Sequence, residues 1–322
     1  MAEIETAVDD EPALSIIIIS YNTRDITLEC LASLFRYPPR CRYEVILLDN
    51  ASSDGSAAAI KAAWPVVKLI ESAENHGFAQ GNNIAAQFAR GARILLLNPD
   101  TILFEKSLAG LVDFADRTPW RGIWGGRTLF ADHSLNPTSC WKKMSLWSLF
   151  CGAVGLVWLF PKSPLFNAEA YGDWQRDSER DVDIVTGCFF LIDHRLWTEL
   201  GAFDPTFFMY AEETDLCLRA QKLGARPGIS PDAEIIHLGG GSEASLTEKM
   251  IKITRGRVTL MRKHWGPAKL CAGLMLYRLW ALARLFGSRF AAGKRDEPGK
   301  SVQKWKIIWD RRDEWLAGYP IK

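Results

Sequence analysis

The sequence predicts an α/β protein organised on a doubly wound, mostly parallel sheet, with a helical, basic extension at its C-terminal end. Three observations carry this. Leu14–Ser20, Glu44–Leu48, Val66–Ile70 and Arg93–Leu97 are short runs too brief for helices and suited to strands, and Leu14–Ser20 and Ile94–Leu97 suit strands buried on both faces. Helical patterns stand between them. The strand-then-helix units follow one another within about 100 residues, as βα repeats do.

Each element has its own local reason. Ile26, Cys30, Leu31 and Leu34 form one apolar stripe on a helix over Thr23–Tyr37, which Pro38-Pro39 stops. Ser52-Ser53-Asp54-Gly55 turns the chain into an alanine-rich helix ending near Ala63. The polar, glycine-bearing stretch 75–83 reads as a loop before a helix to about Arg90. After the fourth strand, a helix over 107–116 leads into a glycine- and tryptophan-rich stretch. Met144–Phe160 is seventeen residues without a charge, flanked by Lys142, Lys143 and Lys162. It falls short of the ~20 residues of a membrane span and reads as a surface or core helix. Strand character resumes over Val182–Ile192, around Gly187, and helices follow at His194–Leu200 and Thr214–Leu223, the latter closed by Gly224. Ala233–His237 is the last strand. Leu270–Phe290 is apolar but carries Arg278, Arg284 and Arg289, off one common face, and reads as packed on the domain or lying in a bilayer interface. The expected organisation is a disordered acidic N-terminus (1–12), one domain over 13–267 with an apolar helical insert near 141–165, and a helical basic region over 268–322, with a flexible link at 291–300.

Net charge is +1, but residues 1–243 hold 21 Lys and Arg against 32 Asp and Glu, and residues 244–322 hold 18 against 6. A basic tail suits an anionic membrane surface or a phosphate-bearing acceptor. Its charges alternate with long apolar runs, which weighs against nucleic acid. Seven cysteines without a CxxC pair argue for reduced thiols. Met1–Glu11 has five acidic residues and no basic one, unlike a signal peptide. The expected location is cytoplasmic, peripheral on the inner face of the cell membrane.

Asp49 and Asp100 fall at the carboxyl ends of the second and fourth strands, the rim where open α/β sheets bind ligands. Turn chemistry explains either one alone. Two on one rim point further: Asp49 suits the imide N–H of uracil or thymine, and Asp100 a divalent metal on a nucleotide-sugar diphosphate. His237 reads either as a structural histidine or as a ligand. The Gly239-Gly240-Gly241 run behind it lets backbone approach phosphate oxygens. Glu212 and Glu213 open a helix, whose dipole favours them there whatever their role and keeps a carboxylate ionised, able to take a sugar hydroxyl's proton. Phe207, Phe208 and Tyr210 form a sugar-stacking wall or plain core. Asn75, Asn82 and Asn83, around Gly77 and Gly81, serve a ligand or close their loop.

Together the segments Ile-Ile-Ile-Ile-Ser-Tyr-Asn-Thr (16–23), Asp-Asn-Ala-Ser-Ser-Asp-Gly-Ser (49–56), Asn-His-Gly-Phe-Ala-Gln-Gly-Asn-Asn (75–83), Leu-Leu-Leu-Asn-Pro-Asp-Thr (95–101), Phe-Asp-Pro-Thr-Phe-Phe-Met-Tyr-Ala-Glu-Glu-Thr-Asp-Leu-Cys (203–217) and His-Leu-Gly-Gly-Gly-Ser (237–242) resemble the family 2 glycosyltransferases. The similarity covers roughly 13–265 and is greatest to the bacterial rhamnosyltransferase-like enzymes of cell-wall and surface-polysaccharide synthesis. It implies a GT-A fold, a dTDP- or UDP-sugar donor with dTDP-L-rhamnose foremost, Mg2+ or Mn2+, a glycan or polyprenyl-linked acceptor, and inversion by direct displacement. By position it implies that Ser20, Tyr21, Asn22, Asp49, Gly77, Asn82, Asn83, Asn98 and Asp100 bind the nucleotide sugar. Asp100 ends the metal-binding triplet, and His237 contacts metal or diphosphate. The base lies in the Glu212-Glu213 pair, with Gly187, Phe208 and Tyr210 toward the acceptor or sugar.

Two departures stand out. Asn98-Pro99-Asp100 replaces Asp-x-Asp, and Glu213 replaces the usual Asp of the base motif. Glu213, one carbon longer, still reaches a hydroxyl and is favoured over Glu212. A sugar-phosphate nucleotidyltransferase would want a glycine-rich phosphate loop where Ser20-Tyr21-Asn22-Thr23-Arg24 stands. A non-catalytic carbohydrate-binding relative is the other alternative, and the retained carboxylates argue against it.

Overall fold

The computed structural model describes residues 11–239, 245–291 and 298–321. β1 (Leu14–Ser20), α1 (Arg24–Arg36), β2 (Tyr43–Asp49), α2 (Ser56–Ala63), β3 (Lys68–Glu71), α3 (Gly77–Ala86) and β4 (Arg93–Leu97) wind the βα repeats. β1 pairs in parallel with β2 and β4, and β2 with β3. β1, β4 and most of β2 are buried on both sides. Ile16 and Ile18 of β1 enter one core, and Ile17 and Ile19 the other, which is why the run shows no polar alternation.

The second half mixes directions. β5 (Thr101–Leu103), α4 (Ser107–Arg117), β6 (Ile123–Leu129), β7 (Cys140–Trp141), α5 (Leu146–Val154) and α6 (Leu156–Leu159) come next. They are followed by β8 (Arg180–Asp181), β9 (Ile184–Val185), β10 (Phe189–Asp193), α7 (His194–Glu199), α8 (Glu212–Lys222) and β11 (Gly228–His237). The large sheet runs β3-β2-β1-β4-β10-β6-β11-β5, with β10 antiparallel to β4 and β6, and β5 antiparallel to β11.

Several boundaries differ from the sequence reading. The stretch 75–83 is mostly helix, because α3 starts at Gly77. The glycine- and tryptophan-rich stretch is β6, a central strand. Its glycines hide it, since a Cβ on Gly126 would lie 1.9 Å from the Ala233 carbonyl oxygen. Met144–Phe160 is two helices rather than one, broken at Gly155 (φ 83°).

Four helices complete the chain: α9 (Leu246–His264), α10 (Pro267–Ala291), α11 (Pro298–Asp310) and α12 (Arg312–Ala317). Leu149 of α5, Ile251, Val258 and Met261 of α9, Tyr277 and Ala281 of α10, Ile308 of α11 and Trp315 of α12 form one apolar cluster. The expected boundary at 267/268 is therefore no break in packing, and the insert and the C-terminal helices share a core. Most of the expected disordered N-terminus, most of the expected link at 291–300, and Gly240 and Gly241 lie outside the described residues. Residues 298–300 belong to α11, not to a link.

Candidate active site

The carboxyl rim of the sheet opens into a cavity of about 520 Å3, a size suited to small-molecule ligands. Distant segments wall it. Tyr21 follows β1, Gly77 and Phe78 begin α3, Asn98–Asp100 join β4 to β5, Phe208–Thr214 lead into α8, and His237 ends β11.

Strand pairing assembles the first cluster. Asn98-Pro99-Asp100 leads from β4 directly into β5, which pairs with β11 and not with β4. β5 pairs with β11 so that His237 faces Thr101, and the Leu238 N–H donates to the Asp100 carbonyl at 2.9 Å. His237 Nε2 thereby comes 3.3 Å from Asp100 Oδ1. That approach lies off the hydrogen-bonding direction: Asp100 Oδ1, Asn98 Oδ1 and His237 Nδ1 are all buried without a hydrogen-bond partner. Burial alone would raise the Asp100 pKa, but His237 outweighs it and holds the carboxyl below its usual range. Burial alone would lower His237, but the Cys188 sulfur and Asp100 carry it up to about 11.

Unpaired buried polar atoms are costly unless something completes them. A carboxylate oxygen, an amide oxygen and, once the cation displaces its proton, an imidazole nitrogen suit a divalent cation that takes its other ligands from diphosphate and water. Among the described residues there is no group of three His, Cys, Asp or Glu able to hold a metal ion. The chain thus offers part of a coordination shell.

The second cluster opens α8. Tyr210 and Ala211 have positive φ (69° and 78°) although neither is glycine, a strain that neighbours must hold. α9 supplies the hold. Gly256 packs so closely that a Cβ there would come 2.6 Å from the Tyr210 carbonyl oxygen. Buried Asp215 accepts from Arg219 Nε at 2.7 Å and binds Lys263 Nζ at 2.9 Å and His264 Nε2 at 2.8 Å, joining α8 to α9. Burial alone would raise the Asp215 pKa, but the hydrogen bond from His264, the charge of Arg219, and the hydrogen bond and charge of Lys263 overcome it and depress the pKa strongly.

Glu212 is buried with Oε2 unpartnered, whereas Glu213 stays partly exposed, and both line the cavity. The expectation that the helix dipole keeps them ionised needs correction. Burial raises both pKa values, and the charge of Glu213 raises Glu212 further. The shift makes either carboxylate a stronger base once it is ionised. Gly187 adjoins Glu213: a Cβ there would rest against the Phe78 ring at 3.4 Å and Glu213 Cβ at 3.8 Å, both ordinary contacts.

Tyr21, Gly77, Asn98, Asp100, Gly187, Phe208, Tyr210, Glu212, Glu213 and His237 therefore share one cavity. Other expected residues do not line it. Ser20 hydrogen-bonds Thr23 and Thr27 beneath the rim, and Asn22 braces Ser52 and Ser53. Asn82 donates to the Phe78 carbonyl at 2.9 Å, and Asn83 clamps the Phe203 backbone through both its amide atoms. Asp49 accepts from the Ser52 N–H at 2.9 Å, with Oδ2 buried and unpaired, while its neighbour Asn50 lines the cavity and bonds Asn75 and His76.

Sequence reading missed the opposite wall: Lys142, Glu169, and Lys249, Lys252 and Arg257 of α9. Arg257 bonds Glu169 at 2.7 Å. The available signal was helical spacing, since Lys249, Lys252, Ile253, Arg257 and Leu260 share one face.

Residues 15–166 match the glycosyl transferase family 2 profile. The N-acetylglucosaminyl-diphospho-decaprenol L-rhamnosyltransferase of Mycobacterium tuberculosis is 28% identical over 235 residues, 70% of this chain and 75% of that protein. The rhamnosyltransferase WbbL of Escherichia coli is 27% identical over 186 residues, 55% of this chain and 66% of that protein. Among solved structures, the mannosyltransferase PcManGT of Pyrobaculum calidifontis, in complex with GDP-Man and Mn2+, superposes with a TM-score of 0.56 at 17% identity, over 95% of this chain and 84% of that one.

Proposed function

We propose, from the premise that this chain is a family 2 glycosyltransferase of GT-A fold acting in polysaccharide synthesis, that it moves L-rhamnose from dTDP-rhamnose onto a polyprenyl-diphosphate-linked glycan with inversion. The rhamnosyltransferase relatives support the sugar, and the decaprenol-linked substrate in the name of the mycobacterial one supports the acceptor. One observation carries the reading: Asp100, His237 and Glu213, from three separate segments, line a single cavity.

The chain's residues divide the work. Tyr21 in the cavity wall and Asp49, buried next to the cavity-lining Asn50, take the nucleotide base and ribose, Asp49 offering its unpaired Oδ2 once the ligand displaces the residues that cover it. Asp100, His237 and Asn98 would hold Mg2+ or Mn2+. When bound, the cation neutralises charge developing on the leaving diphosphate. Glu213 accepts the acceptor's hydroxyl proton as that oxygen bonds to the anomeric carbon and the bond to the diphosphate breaks. The nucleoside diphosphate leaves from the opposite face. Phe208, Tyr210 and Gly187 border the space for sugar and acceptor.

A thermal-shift panel of dTDP- and UDP-sugars, with and without Mn2+ or Mg2+, tests the donor, and transfer to an N-acetylglucosaminyl-diphospho-polyprenol tests the acceptor. dTDP-rhamnose should stabilise most, and only with a cation. Asp100→Ala should abolish the cation-dependent part in calorimetry; undiminished donor binding would contradict its ligand role.

A further inference from the structure

We propose that α5–α6 and α10 together form a docking face for an anionic lipid bilayer lying in the membrane plane, a role beyond the transfer reaction itself. The face is built from two segments that pack on each other. Arg284 of α10 lies 4.1 Å over the Trp158 ring, and Tyr277 and Ala281 share a cluster with Leu149 of α5. Their other sides turn outward. Trp158 and Leu159 are 73% and 71% exposed. Along α10, Met275, Leu279, Phe286 and Phe290 are exposed and recur at helical spacing, so they form one apolar stripe opposite the buried face.

Isolated exposed apolar residues are ordinary, but a continuous apolar face calls for an occupant. Charge identifies it. Residues 141–165 and 267–291 contain Lys142, Lys143, Lys162, Lys269, Arg278, Arg284 and Arg289 and no Asp or Glu. Arg278 and Arg289 are exposed beside the stripe, while Arg284 turns inward. An apolar stripe on segments whose only charged residues are cations, with tryptophan at its margin, matches a bilayer interface with anionic headgroups. Two copies of such a face would repel each other.

Pro267–Phe290 is also long and apolar enough to span a bilayer. Its Tyr277, Ala281 and Leu285 are nevertheless buried, and a crossing would strip them from α5, α9 and α12. The in-plane pose keeps that packing. It also sets the cavity near the lipid, because Met144, just before α5, lines the cavity and Arg257 of its wall bonds Tyr277 of α10.

The test is sedimentation of the full chain with vesicles of phosphatidylcholine alone and of phosphatidylcholine mixed with phosphatidylglycerol. Binding is expected to the mixed vesicles and to weaken with salt. Arg278→Gln and Arg289→Gln should each cost roughly fivefold in affinity, at about 1 kcal/mol per surface charge. Leu159→Glu and Phe286→Glu should cost about tenfold or more. All four should keep the parent's melting temperature, and its donor-induced shift if the parent shows one, so failure of the donor reading leaves the vesicle result interpretable. Absence of sedimentation with anionic vesicles would overturn the proposal, as would binding indifferent to these changes. So would a dimer that Phe286→Glu splits while vesicles go unbound.

Discussion

Glu212 and Glu213 differ by one position, yet the fold gives them different tasks. Glu213 keeps access to the cavity, while Glu212 is buried beside it with one oxygen unpaired. Glu213→Gln keeps the shape and removes the base, so turnover should fall about 10²–10⁴-fold with donor binding retained. Near-normal transfer by that variant would assign the base elsewhere. The raised pKa values also fix a sign for stability. A carboxyl with its folded pKa above the unfolded value of about 4.3 binds its proton more tightly when folded, so stability drops as pH climbs from there to the folded pKa. Glu212→Gln should therefore melt at increasingly higher temperature than the parent as pH rises above about 4.3. Parallel curves would refute the shift. Asp215 has the opposite sign, and its depressed pKa keeps its contribution until strong acid. The sequence made the carboxylates legible as candidates. Their titration was not, because burial is a property of the fold.

At the scale of elements, the aromatic loop before α8 is positioned by α3. The Phe78 N–H donates to the Phe208 carbonyl at 2.9 Å, and Gly77, at φ +73°, lies so close that a Cβ would come 2.3 Å from that same oxygen. Gly77→Ala should destabilise the protein by about 2–4 kcal/mol through backbone strain and overlap. It should also weaken transfer by displacing Phe208 and Glu213. A denaturant melt unchanged from the parent's would show that the loop yields freely. Asn83 belongs to the same mechanical set, since it ties α3 to the Phe203 backbone, while Asn82 bonds back to the Phe78 carbonyl within α3. From sequence they were indistinguishable from ligand contacts, because an amide that closes a loop and one that binds a sugar are the same residue type.

Over the whole molecule, the C-terminal helices are part of the site's support. α9 walls the cavity and α10 bonds that wall through Tyr277. A chain ending at residue 266 would expose Leu149, Val258 and Met261, so it should aggregate or melt well below the full chain. A soluble monomer of equal melting temperature would show instead an independent domain. The sequence by itself determined the βα repeats and the rim carboxylates, because buried strands and turn residues carry local periodicity and punctuation, and it carried the resemblance to family 2 glycosyltransferases through whole motifs matched in order. Only the tertiary structure decided that β5 joins β11 and seats His237 beside Asp100, that α9 closes the cavity with a basic face, and that α5 and α10 share a core while keeping apolar sides outward. Those outcomes depend on which distant surfaces meet, and no spacing within a segment encodes its partner.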